Sequence, residues 1–276
     1  MKNPIAVCSW SYQKPLMTVA EEMRKIDVKH IHLALQPFLE GDARHGAAEG
    51  ALTRGYVEGL IDSGRWTVTA AMLSFSYEDY TTPVTIRKTG GIVPDDKWDA
   101  NKKLIKQAAQ LAKQFKTKYL TLHAGYLDEK NASAVEKYIE RVQFLADACA
   151  ANGLKLLLET GQETADDLAE MLTNLPGVYV NFDPANMILY GKGDPVRAVG
   201  ILAPWIRHVH IKDAKYTKVP GTWGEEVEWT KGEVNADAFI AALDKIGFTG
   251  YLAVEREAGN DRPGDIAAAV MDLKQR

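Results

Sequence analysis

The stretch VYVNFDPANM, residues 178–187, is a strand-like run that ends in a carboxylate. Val178, Tyr179, Val180 and Phe182 are strand formers. Asp183 and Pro184 follow, the ordinary signature of a helix start, with Asp at the N-cap and Pro at the first helical position. A carboxylate at the end of a strand is also where a barrel would present a ligand. Which reading holds depends on whether the same unit recurs along the chain.

It does recur. Strand-like segments read IAVCSW (5–10), HIHLAL (30–35), WTVTAAML (66–73), KYLTLH (118–123), LKLLLE (154–159), VYVNFD (178–183), HVHIKD (208–213) and YLAVERE (251–257). Amphipathic helical stretches lie between them, among them 99–115, 133–151 and 235–247. Alternation of this kind builds a parallel sheet with crossover helices. Eight such units in 276 residues predict an α/β fold, a single-domain (β/α)8 TIM barrel over residues 1–276. An open doubly wound sheet is the weaker alternative, because no strand is followed by a G-x-G-x-x-G or P-loop signature. No linker, low-complexity tract or break in composition divides the chain.

The composition is that of an ordinary globular protein, 46% hydrophobic and 25% charged, with net charge −4. Without a basic stripe, a nucleic-acid partner is not expected. No apolar run reaches the roughly 20 residues that span a bilayer, and the N-terminus lacks a signal-peptide pattern, so the expectation is a cytoplasmic protein without a membrane partner. Cys8 and Cys149 form no disulfide framework or Cys-x-x-Cys site and read as buried thiols. A homo-oligomer is compatible with the sequence.

Side chains alternate faces along a strand. Leu120 and Leu122 alternate with Thr121 and His123, and Leu156 and Leu158 with Leu157 and Glu159. Val178, Val180 and Phe182 alternate with Tyr179, Asn181 and Asp183, and Val209 and Ile211 with His208, His210 and Lys212. If the aliphatic phase packs against outer helices, His123, Glu159, Asp183 and His210 point into the barrel near its C-terminal mouth. The last strand adds Glu255. Unpaired charges buried together are costly, so three carboxylates and an imidazole there call for a cation. Glu159, Asp183, His210 and Glu255 are therefore the candidate metal ligands. An oxygen-rich set with one nitrogen suits Mn²⁺, Mg²⁺, Co²⁺ or Zn²⁺, with Mn²⁺ favoured. The plain alternative is four separate structural polar groups.

The motifs LLLETG, NFDPANM, RHVHIKDA and YLAVERE resemble the corresponding strand ends of the xylose isomerase-like TIM-barrel superfamily, the sugar phosphate isomerase/epimerase group. The resemblance covers nearly the whole chain and marks superfamily better than substrate. It implies one divalent metal ion on Glu159, Asp183, His210 and Glu255, with Glu159 and Glu255 as catalytic acid/base groups. The sequence also departs from its relatives. Asn186 stands where the ketose 3-epimerases carry a histidine three residues after the metal-binding aspartate, and Tyr216 where they place a substrate-binding arginine. The histidine missing at 186 also sets the chain apart from endonuclease IV, which belongs to the same superfamily and which His123 matches at one position.

These readings predict a metal-dependent isomerase or epimerase of a small carbohydrate, acting by proton transfer through a metal-stabilised enediolate. The alternatives are a metal-dependent lyase or dehydratase on a keto-sugar, keto-inositol or keto-glycoside, and a non-catalytic sugar-binding barrel. Candidate substrate-binding residues are His123, Asn186, Lys212, Trp10 and Trp223. Four of them have a plainer reading: His123 as a satisfied structural histidine, Lys212 as a salt bridge to a glutamate, Trp10 as core, Trp223 as a loop pin. Glu257 is placed to support the ligands, and Arg256, out of phase, to pack against a helix or to pair outside the barrel. Asp194 repeats the Asp-Pro pattern without a strand and reads as a plain N-cap. Two long connections, 74–98 and 214–234, are expected on the mouth of the barrel, at least one of them over the site.

Overall fold

The computed structural model describes residues 3–39, 47–127 and 131–276. Its strands are β1 (Ile5–Cys8), β2 (His30–Ala34), β3 (Thr67–Met72), β4 (Tyr119–Leu122), β5 (Lys155–Glu159), β6 (Val178–Phe182), β7 (Ile206–Ile211), β8 (Asp213–Lys215), β9 (Glu225–Val227) and β10 (Leu252–Val254). The helices are α1 (Leu16–Lys25), α2 (Ala47–Asp62), α3 (Pro83–Thr89), α4 (Trp98–Gln114), α5 (Ala132–Ala150), α6 (Ala165–Thr173), α7 (Pro184–Leu189), α8 (Pro195–Leu202), α9 (Ala236–Lys245) and α10 (Arg262–Gln275). Eight strands close a parallel barrel in the ring order β1-β10-β7-β6-β5-β4-β3-β2, a TIM barrel, while β8 and β9 form a separate antiparallel ribbon.

The aliphatic phase of each strand drives the closure. Leu156, Leu158, Val178, Val180, Val209 and Ile211 are all at most 2% exposed and join one continuous core with residues of the surrounding helices. Each such side chain contributes about 1.5–3 kcal/mol when fully buried. The opposite phase is unusual: Cys8, His32, Thr69, Thr121, Asn181, His208 and His210 are buried polar groups at 0–4% exposure. The barrel interior therefore holds polar side chains at the level just beneath the mouth.

The pairing register slips at two places, between Ile31 and His32 against β3 and between Val180 and Asn181 against β7. Irregularities of this kind re-aim side chains. Both fall next to residues of the polar interior.

The two long connections are structured. Residues 74–98 contain α3, whose N-cap Thr82 and N3 residue Thr85 cap each other reciprocally. Glu78 accepts hydrogen bonds from the backbone N–H of Phe75 and of Gly91, both at 2.9 Å, and so folds the loop on itself. Residues 214–234 contain most of the β8–β9 ribbon, which Asp213 secures by accepting from the N–H groups of Gly232 and Val234 at 3.0 Å. Among the described residues no helix is long and apolar enough to cross a membrane.

Candidate metal centre

Glu159 ends β5, Asp183 follows β6, His210 lies on β7 and Glu255 follows β10. One ligand atom from each falls within 4.8 Å of all the others, and the residues are at most 5% exposed. The Nδ1 of His210 is the hub, 3.4 Å from Glu159 Oε1, 3.4 Å from Asp183 Oδ2 and 3.2 Å from Glu255 Oε2. Donors that share one divalent ion at about 2.1 Å stand within about 4.2 Å of one another, so a slight contraction would seat an ion here. Three hard carboxylates and one imidazole form a donor set that fits such an ion.

Charge supports the same fit. Burial works against a charged His210, but Cys8, Glu255 and Glu159 beside it, with the hydrogen bond to Asp183, hold its pKa well above the ordinary value. Burial likewise opposes an ionised Glu159, yet His123 and His210 hold its carboxyl well below the usual range. A proton on His210 Nδ1 thus occupies the position between the carboxylates that a cation would take. Metal binding at this site would release that proton.

The local fold explains how Asp183 serves two purposes. Its Oδ1 accepts from the N–H of Asn186 at 2.9 Å and caps α7, while Oδ2 faces His210. Thr160 holds the backbone there: its Oγ1 accepts from Asp183 N–H at 2.8 Å and donates to Asp183 C=O at 2.9 Å.

The other predicted residues surround the cluster. Trp10 is not at the end of a strand, as expected, but on a 3-10 turn over residues 9–12 that stops β1 at Cys8. Its Nε1–H donates to Glu255 Oε1 at 2.7 Å, and its ring stands edge-on to His32. The Asn186 Nδ2 donates to Glu159 Oε1 at 3.2 Å. The Nε2 of His123 lies 3.3 Å from the same oxygen. Burial disfavours charge on His123, but Glu159, with Glu78 and Glu255 behind it, holds its pKa up at about 9. Lys212 donates to Glu255 Oε2 at 2.9 Å and to Glu257 Oε2 at 2.6 Å. This amine stays charged because Glu255, Glu257, Asp183 and Glu226 outweigh its burial. Among the described residues, Trp223 makes no hydrogen bond to the cluster. Its Nε1–H donates to Tyr80 C=O at 3.1 Å and its ring packs edge-on against Tyr190, so it ties the two long connections together.

Several participants escape the strand-end reading. The Nδ2 of Asn181 donates to Glu159 Oε2 at 3.1 Å. That fixes the amide, so its oxygen accepts from His208 Nδ1–H at 2.8 Å, and His208 Nε2 accepts from the Thr69 hydroxyl at 3.0 Å. Burial, with His210 nearby, pushes His208 down to about 3, which keeps it neutral and this wiring directional. On the outer side, Glu226 of β9 accepts from Arg256 Nη1 at 2.9 Å and from the N–H of Glu257 at 2.8 Å. Arg256 also reaches Asp265 on α10 at 2.9 Å, which places its pairing outside the barrel.

Comparison with known proteins bears on this geometry. A family model described as xylose isomerase-like TIM barrel matches residues 70–275. The chain belongs to that family. A solved xylose isomerase domain protein from Planctomyces limnophilus is 28% identical, with TM-score 0.86 over 99% of this chain and 96% of that one. A structure of an L-ribulose 3-epimerase shares the fold at 16% identity, TM-score 0.74, over 99% of this chain and 94% of that chain. A 3-dehydroshikimate dehydratase from Bacillus anthracis is 30% identical over 115 residues, 39% of this chain. That match spans only 41% of the dehydratase's own length.

Proposed function

We propose that this family member is a divalent-metal-dependent isomerase or epimerase of a small carbohydrate, with Glu159, Asp183, His210 and Glu255 as the metal ligands. The observation that carries the reading is the convergence of these four strand-end groups within 4.8 Å on His210 Nδ1. A bound divalent ion would supply Lewis acidity, stabilising negative charge on neighbouring oxygens of an α-hydroxy-ketone as its proton leaves. Mn²⁺ is the preferred ion, since three carboxylates make the set hard and the imidazole is tolerated.

The chain's own residues would do the rest. Glu159 and Glu255 approach from strands three places apart around the ring and can flank a substrate carbon. One takes the α-proton and the other returns it. Return to the opposite face of the same carbon is epimerisation, and return to the neighbouring carbon is isomerisation. Trp10 and Lys212 each hold one oxygen of Glu255, and Asn186, His123 and Asn181 hold Glu159, so both carboxylates are kept in place.

A second reading is a lyase or dehydratase that expels a β-hydroxyl after the same proton loss. Asn186 in the position of the epimerase histidine favours it, as does the partial match to the dehydratase. Elemental analysis of the purified protein, then a screen of ketoses and keto-glycosides in deuterated water, separates the two. Epimerisation incorporates deuterium with the product's mass otherwise unchanged, whereas the lyase reading requires loss of water or of an aglycone. If Glu159→Gln and Glu255→Gln both keep metal and full turnover, the acid/base assignment fails.

A further inference from the structure

Among the described residues, three buried polar atoms beside the cluster have no hydrogen-bond partner: Nδ1 of His123, and Nε2 and Oε1 of Gln162. The residues line one small pocket, which Glu159 and Glu163 also border. Gln162 is 5% exposed, so solvent does not satisfy its amide. The Tyr190 hydroxyl approaches the amide but without hydrogen-bond geometry. An unpaired buried amide costs free energy, and native interiors rarely tolerate one without a use. The backbone is specialised to place it. Gly161 has φ +152°, and a Cβ there would lie 2.9 Å from Asn186 Cβ and 3.2 Å from the Tyr190 ring. Gly125, which lines the same pocket, has φ +93°, with a Cβ position 2.3 Å from Gly90 C=O. Both glycines let loops approach more closely than any other residue allows.

We propose that Gln162 and His123 form a subsite that binds a hydroxyl of a neutral polyhydroxy substrate, next to the reacting carbon that Glu159 serves. This rests on the metal-centre reading given above. The chemistry of the wall selects the group. The Gln162 amide offers one acceptor and a donor face, and a hydroxyl supplies the complementary donor and acceptor. A carboxylate or phosphate offers acceptors only. It would leave Gln162 Oε1 facing an anion, in a pocket already bordered by two glutamates. The pocket as it stands is too tight for a free water, so a substrate hydroxyl would have to displace the Gln162 side chain to enter. Gln162 is thereby a specificity-determining residue. It reads the part of the substrate beyond the two oxygens that would face the metal.

The test uses the full chain loaded with Mn²⁺ and two probes, xylitol and ethylene glycol, followed by calorimetry. Ethylene glycol can reach a metal but not the subsite as well. The expected result is that Gln162→Met weakens xylitol binding tenfold or more, and leaves Mn²⁺ and ethylene glycol affinity unchanged. Gln162→Leu removes both donor and acceptor without adding charge; it gives the same loss and decides the matter if the Met variant does not fold. Mn²⁺ binding without xylitol binding, or equal xylitol affinity in wild type and variant, overturns the subsite alone. Failure of the wild type to bind Mn²⁺ removes the metal-centre reading and the subsite with it.

Discussion

The Nε2 of His210 lies 3.0 Å from the Nδ1 of His32, whose own Nε2 is 2.9 Å from the Thr121 hydroxyl. Since His210 presents Nδ1 to the carboxylates, its Nε2 carries a proton whether Nδ1 holds a proton or a metal. His32 is neutral, because burial, with His208 and His210 close by, holds its pKa well below the ordinary value. Its Nδ1 therefore accepts from His210, and its Nε2–H donates to Thr121. Asn181 Nδ2 is also 3.1 Å from His210 Nε2, but both atoms are donors in this wiring, so His32 is the partner that orients the ring. Outer partners of a metal-ligating histidine are worth about 10–100-fold in metal affinity. We expect His32→Leu to weaken Mn²⁺ binding by that range, measured by calorimetric titration. An unchanged affinity would show that His32 does not position His210.

His123 predicts a pH dependence of stability in the metal-free protein. Its folded pKa is raised to about 9 from an ordinary value of 6.5. The stabilisation is fully present below the unfolded value and is lost as pH rises through the folded one. Between pH 6.5 and about 9 the metal-free protein should lose stability, at up to about 1.4 kcal/mol per pH unit from this group. Thermal midpoints in the presence of a chelator check this. In His123→Asn the fall across that window should shrink. A midpoint that holds steady or rises over it in the wild type contradicts the assignment.

How much of this was legible in the sequence varies with the physics involved. Alternation of aliphatic and polar residues is local, so the eight strands, the barrel and the convergence of Glu159, Asp183, His210 and Glu255 could be read directly. The same signal was available for His32, since Ile31 and Leu33 alternate with His30 and His32. Asn181 already stood in the inward phase, but neutral side chains draw less notice than charged ones. Glu226 was hidden for a different reason. It comes from the ribbon of a long connection, and the contact with Arg256 spans 30 residues of chain. No periodicity encodes where such a loop lands. Trp10 was misplaced because the strand-like run IAVCSW gives no sign that β1 stops at Cys8 and turns.

Glu226 is expected to be structural. Its side chain is 8% exposed and receives Arg256 Nη1 and two backbone N–H groups, those of Glu257 and Ala258. Removing Glu226 leaves Arg256 with Asp265 as its remaining carboxylate and strands the N–H groups of Glu257 and Ala258. Glu226→Ala should cost about 1–3 kcal/mol in chemical denaturation, with Mn²⁺ affinity lowered as the segment bearing Glu255 and Glu257 loosens. A loss under about 0.5 kcal/mol, the range of an ordinary surface substitution, would mean that the ribbon is not anchored there.

Asp183 and Asp194 share the Asp-Pro signature and allow a direct comparison. Both cap a helix, Asp183 by accepting from Asn186 N–H and Asp194 from Val196 N–H at 2.8 Å. Asp194 is exposed and lies beyond α7, with no ligand cluster around it among the described residues. Asp183 is fully buried and turns its second oxygen to His210 and Lys212. Asparagine caps helices about as well as aspartate, so Asp183→Asn should keep the cap of α7 while removing a metal-facing carboxylate oxygen. Mn²⁺ affinity should then fall at least a hundredfold in a protein that still melts cooperatively. Asp194→Ala should do the reverse, losing about 1 kcal/mol of stability with Mn²⁺ affinity intact. Calorimetric Mn²⁺ titration and thermal melts of both variants decide it. If Asp183→Asn binds Mn²⁺ as well as the wild type, then the carboxylate at the end of VYVNFD is a helix cap and nothing more.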